Sequence, residues 1–304
     1  MTLETASHAA RTSDLIVLER ERGVLSVSGN DRASWLNGVV TCDVLAAKAG
    51  VAAFGVLLSK LGKIQTDFYV LTSEQVLLLA LAPGTLDLVA SDLDRMLVME
   101  DAELGRPPQA LATLALHGPR ARELAQGAAK LAGAVWGELD RTGLGGAVLL
   151  VPVGSVDAAI DSLVSGGAEL ASGEDWLALR IERRVGLFGT DYGASDNPHE
   201  AALDRSAVSW SKGCYLGQEV VFMQDARGKL KRRLALLGVE GGLPAPGVTV
   251  HAPSGEPIGE VTSSSQSAAR GGPVVLARLK APHFEPGARL VVNGEPAVVR
   301  RDPV

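Results

Sequence analysis

The sequence predicts a mixed α+β fold that ends in a separate all-β domain. Segments with strand and helix patterns alternate from residue 15 to about residue 186, and an irregular segment follows. A basic connector follows at residues 225–233, and beyond residue 234 the pattern changes to short valine- and leucine-rich runs. Proline and glycine interrupt those runs about every 8–12 residues, which is typical of a small barrel. We therefore expect an N-terminal region at residues 15–225 and a C-terminal β-barrel at residues 230–304.

Periodicity and turn residues place the elements of the N-terminal region in order. Alternating apolar residues predict strands at residues 15–27 (two strands around a charged turn), 51–58, 64–71, 75–81, 111–116 and 147–153. Apolar residues at helical spacing predict helices at residues 33 to about 41, 86–97, 119–131, 156–164 and 176–181. Asp31 can cap the first helix, and Ser172 with Asp175 resembles a capping box before the last.

The segment from residue 187 to residue 211 has no regular pattern. Long irregular segments inside a compact protein are often functional. We expect its His199 to lie at the loop surface.

Composition limits the functional classes. The 304 residues are 46% hydrophobic and 21% charged, with a net charge of −6 and 4% aromatics, which fits a soluble globular protein and argues against broad nucleic-acid binding. Two cysteines and five scattered histidines predict neither a disulfide framework nor a metal site. Residues 1–14 lack signal-peptide features, and no apolar run is long enough for a membrane helix. We therefore expect a cytoplasmic protein.

The densest chemical signal is the octapeptide K-G-C-Y-L-G-Q-E at residues 212–219. Two glycines around one thiol suggest a shaped turn, and the neighbouring Lys212 can favour the thiolate of Cys214. The alternative is a loop whose cysteine is a small buried hydrophobic residue. Apolar residues 220–223 follow, which predicts that the loop leads into a buried segment.

This octapeptide resembles the K-G-C-Y/F-x-G-Q-E signature of the YgfZ-type folate-binding proteins. They are relatives of the aminomethyltransferase T-protein of the glycine cleavage system. Three upstream segments resemble the same family in the same order, at residues 29–43, 55–67 and 179–182.

The resemblance implies two ferredoxin-like α+β portions and a C-terminal β-barrel around a central folate cavity. It implies tetrahydrofolate, or a one-carbon derivative, as the cofactor, and a role in maturing or repairing iron–sulfur proteins. The expected partners are folate and iron–sulfur client proteins or assembly factors, without nucleic acid or membrane. Two alternatives stay open, a folate-dependent aminomethyltransferase or methyltransferase and a non-catalytic scaffold that docks clients. An accessory factor is favoured over a transferase.

Three residues are the main site candidates that the resemblance implies. Glu182 would accept the paired N–H groups of the pterin, and Asp67 would lie at the cavity as a binding or catalytic acid. The alternatives are a solvated acid at a helix end for Glu182 and an exposed strand aspartate for Asp67. Cys214 would be a reactive thiol, with a buried structural thiol as its alternative.

Lys212, Tyr215 and Gln218 are expected to contact the folate or to orient the octapeptide loop. Internal hydrogen bonding of the loop is the alternative for Lys212 and Gln218. A single thiol cannot complete an iron–sulfur cluster site, because such clusters usually take four ligands.

Overall fold

The computed structural model describes residues 13–19 and 21–301. The N-terminal segment that bears on the signal-peptide prediction therefore lies almost entirely outside the described residues. Among the described residues, no helix is both long and apolar enough to cross a membrane.

The chain first builds two sheets and their helices. The strands are β1 (Asp14–Glu19), β2 (Gly23–Ser28), β3 (Gly50–Val51), β4 (Ala53–Leu58), β5 (Ile64–Thr72), β6 (Leu77–Leu81), β7 (Glu103–Gly105), β8 (Leu111–His117), β9 (Val135–Glu138), β10 (Gly146–Pro152) and β11 (Ala168–Leu170). The helices are α1 (Arg32–Val39), α2 (Leu86–Asp94), α3 (Ala121–Ala132), α4 (Val156–Ser165), α5 (Gly173–Glu182) and α6 (Gln218–Arg227).

The two sheets pack face to face between two layers of helices. One has the order β11-β1-β8-β10-β9-β3 and the other the order β4-β5-β6-β2-β7. Their inner faces meet in a shared core that contains Val56 and Tyr69 from one sheet and Val148 and Leu150 from the other. The outer faces bury the helices in two further clusters. The α+β prediction is confirmed.

A closed six-stranded barrel forms the C-terminal part. Its strands are β12 (Arg232–Val239), β13 (Thr249–His251), β14 (Pro257–Ser267), β15 (Gly272–Lys280), β16 (Arg289–Val292) and β17 (Glu295–Val299), in the order β12-β15-β14-β13-β16-β17. Closure removes unpaired strand edges. Ile181 of α5 packs with Leu234, Leu236, Val274 and Leu276 of the barrel. The predicted barrel is confirmed, whereas the domain limits remain a prediction because α6 extends through Arg227 into the expected connector.

Local signals predicted some helix ends correctly and others not. The Ser172 hydroxyl accepts the Asp175 N–H, and the Asp175 carboxylate accepts the Ser172 N–H, so the capping box exists. Asp31 stands at the N-cap of α1, but its side chain makes no cap bond and accepts the Asp101 N–H instead. The expected buried segment at residues 220–223 is wrong, because these residues belong to α6, which buries only Val221.

Candidate functional site

A cavity of about 600 Å³ opens between the end of β1, the middle of β5 and the segment that follows α5. Trp176 and Phe188 contribute aromatic surface to its wall, and Glu19, Arg22 and Asp67 contribute charged groups. Binding sites for small molecules are typically of this size, with mostly apolar walls and a few placed polar groups.

Asp67 is the buried centre of the cavity's polar wall, with 1% of its surface exposed. Arg22 donates to its Oδ1 at 2.9 Å, and the Tyr192 hydroxyl donates to its Oδ2. Burial, and then the charge of Asp67, raises the pKa of Tyr192 well above its usual value, so the phenol keeps its proton. The alternative that Asp67 is an exposed aspartate on a strand is therefore wrong. Each of its carboxylate oxygens accepts one hydrogen bond within the protein.

Glu19 extends this network toward the cavity mouth. Its carboxylate accepts the Arg22 Nε–H and, at 3.0 Å, the Tyr69 hydroxyl. The Arg22 guanidinium carbon lies 4.2 Å from the centre of the Tyr69 ring, which is cation–π geometry. The sequence placed Glu19 and Arg22 in a charged turn and Tyr192 in the irregular segment, with no signal for a buried network, so all three were missed as site residues.

Glu182 ends α5 and is 2% exposed, so the solvated acid proposed as its alternative is wrong. Its Oε1 accepts the hydroxyl of Ser267 on β14 at 2.5 Å. The carboxylate therefore faces the barrel, and Glu182 is absent from the described residues that line the cavity. Its pairing with a pterin stays a prediction.

The octapeptide loop is held by its own lysine. The Lys212 ammonium donates to the carbonyl oxygens of Asn37, Val40 and Cys42 at 2.6, 2.6 and 2.7 Å, around the C-terminal end of α1. Burial lowers the pKa of Lys212 to about 8, and the charges of Cys42 and Asp43 oppose that shift. Three carbonyl acceptors need the ammonium form, so Lys212 anchors the loop.

Tyr215 and Gln218 also bond inside the loop. The Gln218 side-chain oxygen accepts the Tyr215 N–H at 3.3 Å, and Tyr215 is 6% exposed. Neither they nor Lys212 belong to the described cavity lining. The expected folate contacts therefore find no support in this geometry, and internal bonding of the loop is what the structure contains.

Cys214 is exposed and free, so the buried structural thiol is wrong as an interpretation of this residue. That description fits Cys42, which is buried, and burial raises its pKa to about 12. Near Cys214 in sequence, Trp210, Phe222 and Met223 are 38%, 38% and 48% exposed. The Trp210 and Phe222 rings lie 5.1 Å apart, so the thiol loop borders an apolar surface. His199, expected at the surface, is 4% exposed and contacts the Trp210 ring.

The part of the chain that holds Glu19, Arg22 and Asp67 is similar to a known domain. Residues 7–151 match the family model of the GCVT N-terminal domain. Strands β1–β9, most of β10 and helices α1–α3 lie in this range, whereas Trp176, Glu182 and Cys214 lie beyond it.

Curated relatives and a solved structure agree with the GCVT match. Proteins named aminomethyltransferase from Staphylococcus saprophyticus and Staphylococcus carnosus are each 31% identical over 115 residues, which is 38% of this chain and 32% of each relative. The match thus spans about a third of those relatives. The glycine cleavage system aminomethyltransferase T from Bartonella henselae superposes with a TM-score of 0.82 over 98% of this chain and 88% of its own, at 18% identity. This likeness shows the GcvT-like fold over 98% of the chain.

His117 at the end of β8 is a further buried group of the GCVT-matched region. It is 3% exposed, neither ring nitrogen has a hydrogen-bond partner in the described structure, and its ring stacks on Trp176 at 4.8 Å. Burial lowers its pKa to about 4, with smaller effects from Glu19, Arg141 and Asp140. The imidazole is therefore neutral at pH 7 and supports the cavity wall from behind.

This histidine predicts a pH dependence of stability. The unfolded chain binds the proton near pH 6.5 and the folded chain only near pH 4, so stability falls as the pH drops through that window. The loss amounts to about 3 kcal/mol from this group. Urea unfolding at pH 7 and pH 4 measures it, and His117→Phe is expected to remove this part of the loss. His283→Gln is the control. The pH effect does not come from His117 if His117→Phe loses as much stability between pH 7 and pH 4 as the wild type does, or if His283→Gln reduces that loss as much as His117→Phe does.

Proposed function

We propose that the chain is a tetrahydrofolate-binding protein of the YgfZ type that assists the maturation or repair of iron–sulfur proteins. The cavity is the observation that carries the folate assignment. A reduced pterin is flat and carries several N–H groups, so it suits a wall with the Trp176 and Phe188 rings and the carboxylates of Glu19 and Asp67. An ionised carboxylate offers about four acceptor positions, so both acids can accept further N–H groups from a ligand.

The exposed Cys214 supports the iron–sulfur part of the proposal. Its loop is fixed by Lys212, and the thiol is exposed in a segment flanked in sequence by the exposed Trp210 and Phe222, so a second protein can approach it. Among the described residues, no group of three or more His, Cys, Asp or Glu could hold a metal. A client protein or assembly factor would therefore have to supply the other ligands of any cluster.

An aminomethyltransferase is the second candidate, favoured by the names of the two staphylococcal relatives. The octapeptide K-G-C-Y-L-G-Q-E at residues 212–219 makes it the weaker choice, because that segment resembles the YgfZ-type proteins. Turnover of an amine donor with tetrahydrofolate would favour the transferase. Absence of folate binding at physiological concentrations would favour a docking scaffold.

Two variants separate cavity function from thiol function. Trp176→Ala is expected to weaken tetrahydrofolate binding about tenfold in calorimetry, because a stacking wall is lost. Cys214→Ala is expected to bind tetrahydrofolate normally but to fail to restore iron–sulfur enzyme activity in a strain that lacks the protein. The Glu182→Ala variant, measured alongside, tests the pterin pairing.

Each half of the proposal has its own contradicting result. Unchanged affinity in Trp176→Ala would remove the cavity assignment, and full restoration by Cys214→Ala would remove the thiol's role. Cys42→Ala is the matched control for the thiol, because Cys42 is buried and is expected to leave restoration intact.

A further inference from the structure

A second pocket, of about 300 Å³, lies where the barrel meets the N-terminal part of the chain. Its lining residues include the start of β12, the C-terminal end of β17 and a barrel loop at residues 284–286. Arg184, directly after α5, and Arg205, in the irregular segment, complete it from the other side. It shares no lining residue with the folate cavity.

Arginine dominates the charge of this pocket. Four arginines line it, at positions 184, 205, 233 and 300, against two acids, Asp204 and Glu285. Arg233 donates to Asp204 Oδ1 at 2.9 Å and to the His199 carbonyl at 3.0 Å, so Asp204 is already neutralised. Among the described residues, Arg205 and Arg300 then stand against Glu285 without an ion-pair partner. The whole protein carries a net charge of −6, so this excess of positive charge is local and opposes the overall field.

Arg184 occupies a backbone position that ordinarily belongs to glycine. Helix α5 ends in a Schellman motif, in which Arg184 N–H bonds to the Ile181 carbonyl and Val185 N–H bonds to the Arg180 carbonyl. The motif puts Arg184 at φ +54°, in the left-handed region that a side chain disfavours. A strained non-glycine residue in a pocket wall points to a use for its side chain.

Arg205 and Arg300 are exposed and available. Within the described residues, neither side chain makes a hydrogen bond or an ion pair. Arg300 lies over Gly238, where an added Cβ would come within 2.4 Å of the arginine Nε. The glycine therefore leaves the space that the guanidinium occupies.

We propose that this pocket binds a small anion that carries two phosphate or carboxylate groups. The planar guanidinium presents paired N–H donors that match the oxygens of either group, and several arginines from separate segments can hold two such groups at once. The volume suits a ligand of this size, at the lower end of small-molecule sites. The inference is independent of the folate cavity and of Cys214.

Calorimetry on the full-length protein at low ionic strength tests the site, with pyrophosphate and glutarate as the probes. Saturable binding of at least one probe is expected, and Arg205→Gln and Arg300→Gln should each weaken it about tenfold, since each removes charged hydrogen bonds. Arg184→Gly should also weaken it while keeping the backbone conformation. Arg289→Gln is the matched control, because Arg289 is an exposed barrel arginine outside the pocket.

The two probes distinguish the source of the anionic oxygens. Tighter pyrophosphate binding assigns a phosphate ligand, and tighter glutarate binding assigns a dicarboxylate. The proposal is overturned if neither probe saturates, or if Arg289→Gln weakens binding as much as Arg300→Gln does.

Discussion

Replacing Arg22 with leucine is expected to lower the free energy of unfolding by about 3–5 kcal/mol. The Arg22 side chain is 4% exposed and forms ion pairs with both Glu19 and Asp67. The Asp67 side chain is 2% exposed. Removing it leaves two carboxylates without their cation in a site that excludes most water. The large cost comes from those stranded charges, because replacing a whole buried pair with apolar groups is often nearly neutral. Urea denaturation at pH 7 measures the change through the midpoint.

A surface pair and a compensating variant provide the controls for Arg22. Arg106→Leu breaks the ion pair between Arg106 and Asp87, whose side chains are 46% and 95% exposed respectively. This change should lower the free energy of unfolding by at most about 1 kcal/mol. Adding Asp67→Asn to Arg22→Leu should recover part of the loss, because one stranded charge disappears. If Arg22→Leu costs no more than Arg106→Leu, the network contributes nothing specific to stability.

The sequence predicted elements best where the deciding contacts are local. The capping box of Ser172 and Asp175 spans three residues and forms as expected. Strands β7, β9 and β11 were missed, since each has only three or four residues and pairs with a strand far away in sequence, β2, β3 and β1 respectively. Helix α6 was missed because it buries one residue, so no amphipathic period marks it.

The candidate site also depends on contacts between residues that are far apart in sequence. The resemblance pointed to Asp67, but its partners Arg22 and Tyr192 lie 45 and 125 residues away in the chain. No spacing rule relates such positions, so only the fold reveals that the acid is paired. The same holds for Lys212, whose three carbonyl acceptors lie more than 160 residues upstream. What the resemblance supplied was the identity of candidate residues, and what the structure adds is which contacts those residues already make.

Asp191→Ala is expected to cost about 3–5 kcal/mol and to loosen the barrel from α5. Asp191 is fully buried and accepts donors from both sides of this junction: Arg180 at 2.8 Å from α5, and the hydroxyls of Thr262 and Ser263 at 2.6 and 2.7 Å from β14. Its removal strands the buried Arg180 guanidinium. Thr262→Val, which removes one hydroxyl, is the control and should cost about 1 kcal/mol.

The same carboxylate couples this junction to the cavity that we propose binds folate. Asp191 Oδ2 accepts the Leu187 N–H at 2.9 Å, and Leu187, Phe188 and Thr190 line the cavity wall. Asp191→Ala should therefore weaken tetrahydrofolate binding under conditions in which the protein is still folded, as judged by circular dichroism. Asp191→Asn keeps one acceptor oxygen, so its affinity for tetrahydrofolate should lie between those of the wild type and Asp191→Ala. If Asp191→Ala loses stability but binds tetrahydrofolate normally, the cavity wall is held by its own packing and the junction serves the barrel alone.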